Sequence, residues 1–503
     1  MPVDFEVGII GAGFAGLIAA LQLRRAGRES VIIIERGAEV GGVWRDNVYP
    51  GCACDVPSHL YSISTRPNPN WTSNFASQPE ILEYLKQITV HDDLRRQIRF
   101  GCEITEMRFC AETGCWQLND QRGQQFCVRA VIVAVGPHSR PYIPALMGRE
   151  KFAGTSFHSS RWDRAVDLAG KKVAVIGTGA SAVQIIPSIA PVVRELTVFQ
   201  RSAPWVLPRG EREISAFEHR LFQRFPTTQA IVRASIYLLM EFIGLGFVGP
   251  PVFNRLLAAV ALRKLKREVH DPDIQRALTP TYRAGCKRMM VSDDFYPAFN
   301  RPNVYLVTEP IAELVREGIV TTDGVFHAAD HIVYATGFTV ADPDGLLRVI
   351  GLGGRVLAEE WATEGAQAYL GTTVSGYPNM AMLLGPNSGL SHSSALHVVE
   401  SQMAYVLAYL AEIDAAGECG FLDVSAPAQM AYNSDLQRRL VELVWSSGCR
   451  SWYLNRAGKN TVIFPGLTLS FRRRMRRFDP RSYAVHVQPK PPAVTPLACS
   501  NLV

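Results

Sequence analysis

The stretch Phe5-Glu-Val-Gly-Ile-Ile-Gly-Ala-Gly-Phe-Ala-Gly16 decides the fold of this chain. Its apolar first half has the length of a buried strand, and the glycines of its second half have the spacing GxGxxG. In that pattern Gly11 permits a tight turn, Gly13 lets the backbone approach a pyrophosphate, and Gly16 lets the next helix pack on the strand. The stretch therefore predicts a strand, a turn and a helix that hold a dinucleotide.

The residues that follow complete the same unit. A helix is predicted over Phe14–Arg25, and its first amides point at the phosphates. The run Val31-Ile-Ile-Ile34 predicts the second strand and ends at Glu35, about twenty residues after the glycines, where a carboxylate accepts the ribose hydroxyls of an adenosine.

A second unit of this kind begins at Lys171. The strand Lys171-Lys-Val-Ala-Val-Ile176 runs into Gly177-Thr-Gly-Ala-Ser-Ala182, in which alanine replaces the third glycine and still permits close packing. The next strand, Leu196-Thr-Val-Phe199, is followed by Arg201 and Ser202 instead of a carboxylate. A guanidinium there can pair with a 2′-phosphate through two hydrogen bonds, which favours NADP(H) over NAD(H). The second strand of the first unit ends at a glutamate, and that of the second unit is followed by an arginine. Together the two units imply FAD and NADPH.

Length and composition limit the class of protein. A chain of 503 residues is too long for one core and predicts two or three domains. With 47% hydrophobic and 19% charged residues it has the composition of a globular enzyme, and a net charge of +6 is too small to indicate a nucleic-acid partner. No signal peptide precedes the first predicted strand, so we expect a cytoplasmic protein.

The ten cysteines show no paired framework, which is typical of a reducing compartment. Two local pairs, Cys52 with Cys54 and Cys110 with Cys115, lack the further cysteines or histidines of a zinc site. The second pair has the spacing found in flavin disulfide reductases, but it lies in a predicted strand-turn-strand unit instead of after the first helix. We interpret both pairs as structural thiols.

One stretch, Ile236 to Val248, is apolar enough to suggest a membrane segment. It is shorter than the ~20 residues that a span needs, contains Glu241, and ends at Gly249-Pro-Pro251. We expect a buried helix or a lid here and no membrane span. Superficial contact with a membrane surface is compatible with the pattern.

Between the two nucleotide units lies Phe152-Ala-Gly-Thr-Ser-Phe-His-Ser-Ser-Arg-Trp-Asp163. Written as FxGxxxHxxxW followed by Asp, it resembles the fingerprint of Baeyer–Villiger monooxygenases, flavoenzymes that insert an oxygen atom beside a ketone carbonyl. The resemblance implies a hinge between the nucleotide domains, formed by Phe152, Gly154, His158 and Trp162. It implies no direct proton transfer by His158.

A second match is the run Gly41-Gly-Val-Trp-Arg-Asp-Asn-Val-Tyr-Pro-Gly-Cys-Ala-Cys-Asp-Val-Pro-Ser-His-Leu-Tyr-Ser62, which resembles GGxWxxNxYPGxxxDxxSxxY of the same family. The paired glycines let the backbone lie against a flat ligand, which Trp44 can stack on or enclose. Asp55 is an acid in an apolar neighbourhood, where it needs a cationic partner or a raised pKa. By resemblance it stands beside the flavin and positions a catalytic arginine.

That arginine is expected in the segment from Tyr282 to Val304, which resembles the family's KR…NRPNV segment. The resemblance gives Arg288 the catalytic role and brings Lys287 to the 2′-phosphate. Arg288 is followed by Met289, where members that oxidise cyclic ketones often have proline, so the ketone class stays open.

The same resemblance covers most of the remaining chain. His331 to Phe338 resembles the strand and turn that leave the NADP domain, Gly385-Pro-Asn387 lies where backbone approaches the flavin ring, and Trp452 belongs to a segment that folds over NADP. The residues expected to bind FAD are Gly11, Gly13, Phe14, Ala15, Gly16, Glu35, Gly42, Val43, Trp44, Asp55, Tyr61, Ile104 and Asn387. Those expected to bind NADPH are Gly177, Gly179, Ala180, Ser181, Ala182, Gln184, Arg201, Ser202, Lys287 and Trp452.

The predicted fold class is α/β, with two Rossmann-like dinucleotide-binding domains and a helical insertion. The FAD domain is predicted over 1–144 and 340–487, the NADP domain over 145–212 and 285–339, the insertion over 213–284, and a disordered tail over 488–503. Long helical patterns without strand alternation mark the insertion, and low periodicity with many prolines marks the tail.

The resemblance implies an FAD- and NADPH-dependent monooxygenase that converts a ketone to an ester or lactone with O2, through a peroxide at flavin carbon C4a. The alternative is a flavin monooxygenase that oxygenates nitrogen or sulfur, whose hinge motif lacks the final Trp-Asp. A flavin disulfide reductase would carry a cysteine pair at the first helix. An NADP-sensing module would not need Asp55 and Arg288 together.

Overall fold

The computed structural model describes residues 3–341 and 347–487, so the predicted tail lies outside the described residues. Its larger sheet has eight strands. They are β1 Phe5–Ile10, β2 Val31–Ile34, β3 Ile98–Arg99, β4 Ile104–Cys110, β5 Cys115–Asp120, β6 Gln125–Val133, β17 Arg348–Ile350 and β18 Met380–Met382. The order is β17-β4-β5-β6-β1-β2-β3, with β18 also paired to β6.

The second sheet has five strands, all parallel, in the order β12-β9-β8-β16-β7. They are β7 Thr155–His158, β8 Lys172–Ile176, β9 Glu195–Phe199, β12 Val304–Val307 and β16 His331–Tyr334. The chain therefore leaves the first sheet after β6, forms the second, and returns after β16. The predicted α/β class with two Rossmann-like units is confirmed.

The first unit follows the prediction residue by residue. Strand β1 pairs in parallel with β2 on one side and β6 on the other, so the glycine turn leaves the carboxyl end of a central strand. Ligands bind at that edge in sheets of this kind. Strand β6 begins at Gln125 and ends at Val133, where the chain turns toward the second sheet.

Thirteen helices lie in the described ranges. They are α1 Phe14–Arg25, α2 Val43–Asp46, α3 Gln78–His91, α4 Ala182–Ile189, α5 Ala216–Arg224, α6 Pro226–Val248, α7 Pro251–Glu268, α8 Pro272–Ala277, α9 Phe295–Ala298, α10 Leu357–Glu364, α11 Ala395–Ala415, α12 Ala426–Val441 and α13 Thr468–Met475. Smaller sheets pair β10 Val206–Leu207 with β11 Met290–Val291, join β13 Ile311–Val315, β14 Gly318–Thr321 and β15 Phe326–Ala328, and pair β19 Phe421–Val424 with β20 Tyr483–His486.

Helix α6 corrects one sequence prediction. It has 23 residues and is long and apolar enough to cross a membrane by length and composition, yet only 17% of its most apolar window is buried. The expectation of a buried helix was therefore wrong, and the alternative expectation of a lid stays a prediction. The helix packs on α5, α7 and the core through one face, and Ile231, Leu238, Leu239 and Phe242 on its other face are exposed.

Candidate active site

The first glycine turn is built for close approach of the backbone. Gly11 has φ +105°, and a Cβ at this position would lie 2.8 Å from the carbonyl oxygen of Ala134. A Cβ on Gly16 would lie 1.9 Å from the carbonyl oxygen of Gly11, so the helix can pack against the turn only with glycine there. Helix α1 begins at Phe14, and no acidic residue lies in its first turn, so its amide end favours an anion.

Glu35 is fixed at the end of β2. The side chain is buried, and its Oε2 accepts a hydrogen bond from the amide of Ala12 at 2.8 Å. Its Oε1 accepts from the amide of Gly37 and from Nη1 of Arg45, both at 2.7 Å. Sequence analysis identified Glu35 but missed Arg45, which lies in α2 and orients the carboxylate.

An aromatic cluster stands beside the glycine turn. Trp44 donates from Nε1 to the hydroxyl of Tyr61 at 3.0 Å, and the Tyr61 ring meets Phe14 edge-on at 5.0 Å. Gly42, just before Val43 and α2, has φ +52° and approaches Gly13, since a Cβ on Gly42 would lie 3.3 Å from the Cα of Gly13. Five predicted FAD contacts, namely Gly13, Phe14, Gly42, Trp44 and Tyr61, thus lie close together. Ile104, another, is the buried first residue of β4.

The central feature of the site is an ion pair between Arg288 and Asp55, which are 233 residues apart in the chain. Oδ2 of Asp55 accepts from both Nη2 at 2.6 Å and Nε at 3.0 Å. Each side chain is about a quarter exposed, 26% for Arg288 and 27% for Asp55, so the pair lines an opening. The Asp55 carboxylate raises the pKa of Arg288 further above its ordinary value, against the effect of burial. The structure therefore places a permanent cation in a fixed orientation.

Two aromatic side chains lie near this pair, namely His138, which sequence analysis missed, and Tyr453. His138 follows the carboxyl end of β6, and its ring lies 5.4 Å from Phe338 and 5.4 Å from Trp452. Burial, and then the charge of Arg288, lowers the pKa of His138 to about 4. Tyr453, next to Trp452, is fully buried, and burial raises its pKa. His138 is therefore neutral near pH 7 beside the guanidinium.

The predicted 2′-phosphate site brings together two cations and a hydroxyl. Nζ of Lys287 donates to Oγ of Ser202 at 2.7 Å, and burial followed by the charge of Arg201 lowers the pKa of Lys287. Within residues 3–341 and 347–487, no carboxylate pairs with Lys287 or Arg201. Two neighbouring cations without a counter-ion form an anion site.

The second glycine turn leaves room for a ligand. Gly177 has φ +112°, and a Cβ there would lie 2.5 Å from the carbonyl oxygen of Ala335, while a Cβ on Gly179 would meet nothing within 4 Å. Ala180 and Ser181 lead from this open turn into α4, which begins at Ala182. The open space beside Gly179 lies where the pattern predicts the pyrophosphate.

Gln184, for which an NADPH contact is predicted, joins two segments of the chain. It accepts from the hydroxyl of Tyr49 at 3.1 Å and donates to the carbonyl of Ala53 at 3.0 Å. Its amide therefore joins α4 to the loop before Asp55, which connects the two nucleotide units. The contact lies across 135 residues of sequence, so local spacing could not show it.

The hinge motif lies where the chain crosses between the sheets. A Cβ on Gly154 would lie 2.2 Å from the carbonyl oxygen of Asp330, which requires glycine beside the strand ends. His158 is buried, accepts on Nδ1 from the amide of Ser160 at 3.1 Å, and bonds through Nε2 to the carbonyl of Gly337 at 2.9 Å. Nδ1 therefore holds the local turn at Ser160, and Nε2 joins the outgoing chain to the returning chain.

The two aromatic residues of the motif pack nearby. Trp162 meets Phe157 edge-on at 5.1 Å, and Phe152 packs on the apolar cluster of the second sheet. Burial lowers the pKa of His158, so its ring stays neutral near pH 7. These contacts describe a structural connection and no route for a proton.

Asn387 supports the end of the site with its side chain. It has φ +53° and donates from Nδ2 to the carbonyl oxygens of Asn460 and Ile463 at 2.9 and 3.0 Å. The contact fixes the turn before α11 to the segment that follows Trp452.

Comparison with known proteins identifies the family. A family model described as flavin-binding monooxygenase-like matches residues 5–345. A Baeyer–Villiger monooxygenase of Pseudomonas aeruginosa is 43% identical over 486 residues, which are 96% of this chain and 92% of that protein. The chain belongs to the Baeyer–Villiger monooxygenases. A Baeyer–Villiger monooxygenase of Streptomyces coelicolor is 42% identical, over 97% of this chain and 94% of that protein.

Solved structures support the same assignment. The crystal structure of OTEMO in complex with FAD and NADP has a TM-score of 0.86 and 28% identity, over 97% of this chain and 100% of that one. The two Rossmann-like units of the present monooxygenase thus have counterparts in a protein solved with both dinucleotides.

A disulfide joins Cys286, next to Lys287, to Cys449, three residues before Trp452. The sequence predicted no pairing, and for these two cysteines that prediction was wrong, because a separation of 163 residues gives no local signal. The two suspected local pairs, Cys52 with Cys54 and Cys110 with Cys115, are free thiols, as interpreted from the sequence.

Removing this bond should lower the stability of the monooxygenase. Cross-linking so long a loop restricts the unfolded chain, by up to about 5 kcal/mol in the chain-entropy account. We expect Cys449→Ser to lower Tm by several degrees, and dithiothreitol to lower the Tm of the unmodified protein to the same value. The reductant should leave the Tm of Cys449→Ser unchanged. Cys110→Ser, at a free thiol, is the matched control, and equal Tm values with and without reductant would contradict the role of the bond.

The buried histidines predict a loss of stability in acid. Burial lowers the pKa of His59, His138 and His397 from 6.5 to about 4 in each case. As pH falls from about 6.5 toward 4, the unfolded chain binds protons that the folded chain does not, so the free energy of unfolding decreases. Chemical denaturation at several pH values should show this fall, with a smaller slope for His59→Gln and an unchanged slope for the exposed-residue control His91→Gln. A stability that is flat between pH 6.5 and 4.5 would contradict the prediction.

Proposed function

We propose that this chain is an FAD- and NADPH-dependent Baeyer–Villiger monooxygenase that converts ketones to esters or lactones with O2. The observation that carries the proposal is the Arg288–Asp55 pair, a permanent cation at an opening between two dinucleotide units. Membership in the family supports the reaction type. The proposed partners are small molecules, namely the ketone and O2, without nucleic acid, and the proposed location is the cytoplasm.

The residues present fit both cofactors. For FAD, the amide end of α1 without acidic neighbours suits a pyrophosphate, and buried Glu35 suits the ribose. For NADPH, the open turn at Gly179 suits a pyrophosphate. The unpaired charges of Arg201 and Lys287 suit the dianionic 2′-phosphate, since a carboxylate at the end of β9 would repel it.

When bound, FAD and NADPH supply the redox and oxygen chemistry. The chain itself supplies a fixed charge. A carbonyl oxygen gains negative charge as its carbon is attacked, and a preorganised cation stabilises that charge without reorganising. Arg288 cannot lose its proton, and the bond to Asp55 fixes the direction of the guanidinium. His138 stays neutral and so adds no competing charge.

The same residues also limit access by water. Tyr453 and His138 lie near the guanidinium, and His138 packs against Phe338 and Trp452. His158 bonds to the carbonyl of Gly337 and so joins the segment that enters the second sheet to the segment that leaves it. Phe338, next to Gly337, is thereby held in a fixed position relative to the second sheet. Exclusion of water strengthens the field of Arg288 on the substrate.

A ketone panel tests the proposal. The holoenzyme is incubated with NADPH and with cyclic, aryl, linear and steroid ketones, and ester or lactone is measured by mass spectrometry. NADPH consumption is recorded separately, because consumption without oxygenated product reports only leakage. We expect product from at least one class. Oxygenation of amine and sulfide probes, with no ester from any ketone, would favour the N- or S-oxygenating alternative.

A further inference from the structure

An exposed apolar surface covers one side of the helical insertion. We define the apolar stripe as the large hydrophobic residues on the outer faces of α6 and α7, each between 41% and 66% exposed. Its members are Ile231, Leu238, Leu239, Phe242, Val252, Leu256 and Val260. Contiguous apolar surface of this kind is uncommon on monomeric proteins and marks an interaction site.

Helical spacing puts these residues on one face. On α6, Leu238 follows Ile231 by seven residues, and Phe242 follows Leu238 by four and Leu239 by three, which is the spacing of one helical face. Ala234 and Ser235 fill the gap on that face between Ile231 and Leu238, and the whole segment is about 16 Å long. Helix α7 runs back beside α6, and Phe253 meets Phe242 edge-on at 5.6 Å. The two outer faces therefore form one surface.

The apolar stripe has a basic border. On α7 the exposed Arg255 and Arg263 lie on the same helical face as Val252. The exposed Lys266 and Arg267 lie further along that face, toward the end of the helix. The only acids between residues 226 and 268 are Glu241 and Glu268, and Glu268 pairs with Lys264 and with Arg267.

A second set of cations lies against α6 from another part of the chain. Glu241 accepts hydrogen bonds from the amides of Thr468 and Leu469, so α6 holds the first turn of α13. The exposed arginines of that helix and the residues just after it are Arg472, Arg473, Arg474, Arg476 and Arg477. We define the basic rim as these arginines together with Arg255, Arg263, Lys266 and Arg267.

Helix α6 does not leave the protein to cross a bilayer. Near its middle, Glu241 is tied to α13 and to Nε2 of His392 at 3.3 Å, and Arg233 donates to the carbonyl oxygens of His59 and Ser62 at 2.7 and 2.9 Å. These contacts hold the inner face against the enzyme and leave the apolar stripe outward. An amphipathic helix held in this way lies in the plane of an interface.

We propose that the apolar stripe and the basic rim form a docking surface for an anionic phospholipid bilayer. Apolar side chains enter the boundary between headgroups and acyl chains, while the arginines and lysines beside them meet lipid phosphates. A symmetric contact between two copies of the chain would bring two basic rims toward each other, which like-charge repulsion disfavours. The positive charges around the apolar stripe therefore favour an anionic bilayer over a second copy of the chain.

The docking surface lies next to the candidate active site. The C-terminal end of α6 packs on the segment before Arg288, since a Cβ on Gly285 would lie 2.6 Å from Cδ1 of Phe247. A bilayer at this surface would bring apolar substrates close to the opening. Docking itself does not depend on the proposed reaction, because vesicle binding is measured without turnover.

Vesicle flotation tests the docking. Full-length holoenzyme is mixed with vesicles of phosphatidylcholine alone or of phosphatidylcholine with phosphatidylglycerol, and bound protein is followed by its flavin absorbance and by immunoblot. We expect flotation with the anionic vesicles only, and weaker flotation as salt increases. Leu238→Asp with Phe242→Asp should abolish it. Arg255→Glu with Arg263→Glu should lower the affinity about tenfold or more.

The matched control places the same charges on another exposed helix. Met430→Asp with Val441→Asp, on α12, should float like the unmodified protein. All variants should keep the flavin spectrum and Tm of the unmodified protein, which shows that they are folded. The proposal is overturned if the unmodified protein stays unbound with anionic vesicles, or if the Leu238 and Phe242 variant still floats. The proposal would also be overturned if the unmodified protein formed a concentration-dependent dimer without binding vesicles, and the Leu238 and Phe242 variant were monomeric. That result would assign the surface to a second copy of the chain.

Discussion

Replacing Arg288 by alanine will abolish ester formation while NADPH still reduces the flavin. The guanidinium is the permanent cation of the site, and removing one preorganised group of this kind costs about 10²- to 10³-fold in rate. Hydride transfer depends instead on the two nucleotide sites, whose residues are intact. Anaerobic stopped-flow absorbance measures reduction of the flavin, and mass spectrometry measures the ester.

Two further variants separate charge from geometry. Arg288→Lys keeps the positive charge but loses the two-pronged bond to Asp55, so we expect partial recovery of ester formation. Asp55→Asn keeps the size of the side chain and removes its charge, which should lower the rate less than Arg288→Ala does. Ester formation by Arg288→Ala near the unmodified rate would exclude the assigned role.

Replacing Arg201 by alanine will raise KM for NADPH far more than KM for NADH. A charge-assisted hydrogen bond to a phosphate contributes about 1.5–3 kcal/mol, which corresponds to roughly 10- to 150-fold in affinity. NADH lacks the 2′-phosphate and so should lose little. Steady-state kinetics with each nucleotide, at a fixed ketone concentration, give the two ratios.

Lys287→Met should act in the same direction, because its amino group lies beside Ser202 next to Arg201. Arg194→Ala, which removes an exposed arginine from the same domain, is the matched control and should leave both KM values unchanged. Equal effects of Arg201→Ala on NADPH and NADH would mean that Arg201 does not recognise the phosphate.

Local features of the fold followed from the sequence because local sterics determine them. The strand Phe5–Ile10, the turn at Gly11 and the helix Phe14–Arg25 were predicted with the bounds that the structure has. Each depends on neighbours in the chain, such as a run of buried apolar residues or a glycine that leaves space for a carbonyl. The same reasoning placed the second unit and its arginine.

Contacts between distant segments could not be predicted in that way. The Arg288–Asp55 pair was expected only from resemblance, and nothing in the spacing indicates the bond between Cys286 and Cys449. His138 carried one unused signal, its position just beyond the carboxyl end of a sheet strand. Helix α6 was misjudged because composition shows how apolar a helix is and not which neighbours cover it.

Three consecutive residues each reach a different part of the molecule. Cys286 is bonded to Cys449 near the end of the chain, Lys287 to Ser202 beyond the second sheet, and Arg288 to Asp55 in the first unit. This tripeptide therefore ties the C-terminal segment, the second unit and the first unit to one short piece of backbone. The proposed phosphate site at Lys287 and the proposed catalytic cation Arg288 are therefore separated by a single peptide bond.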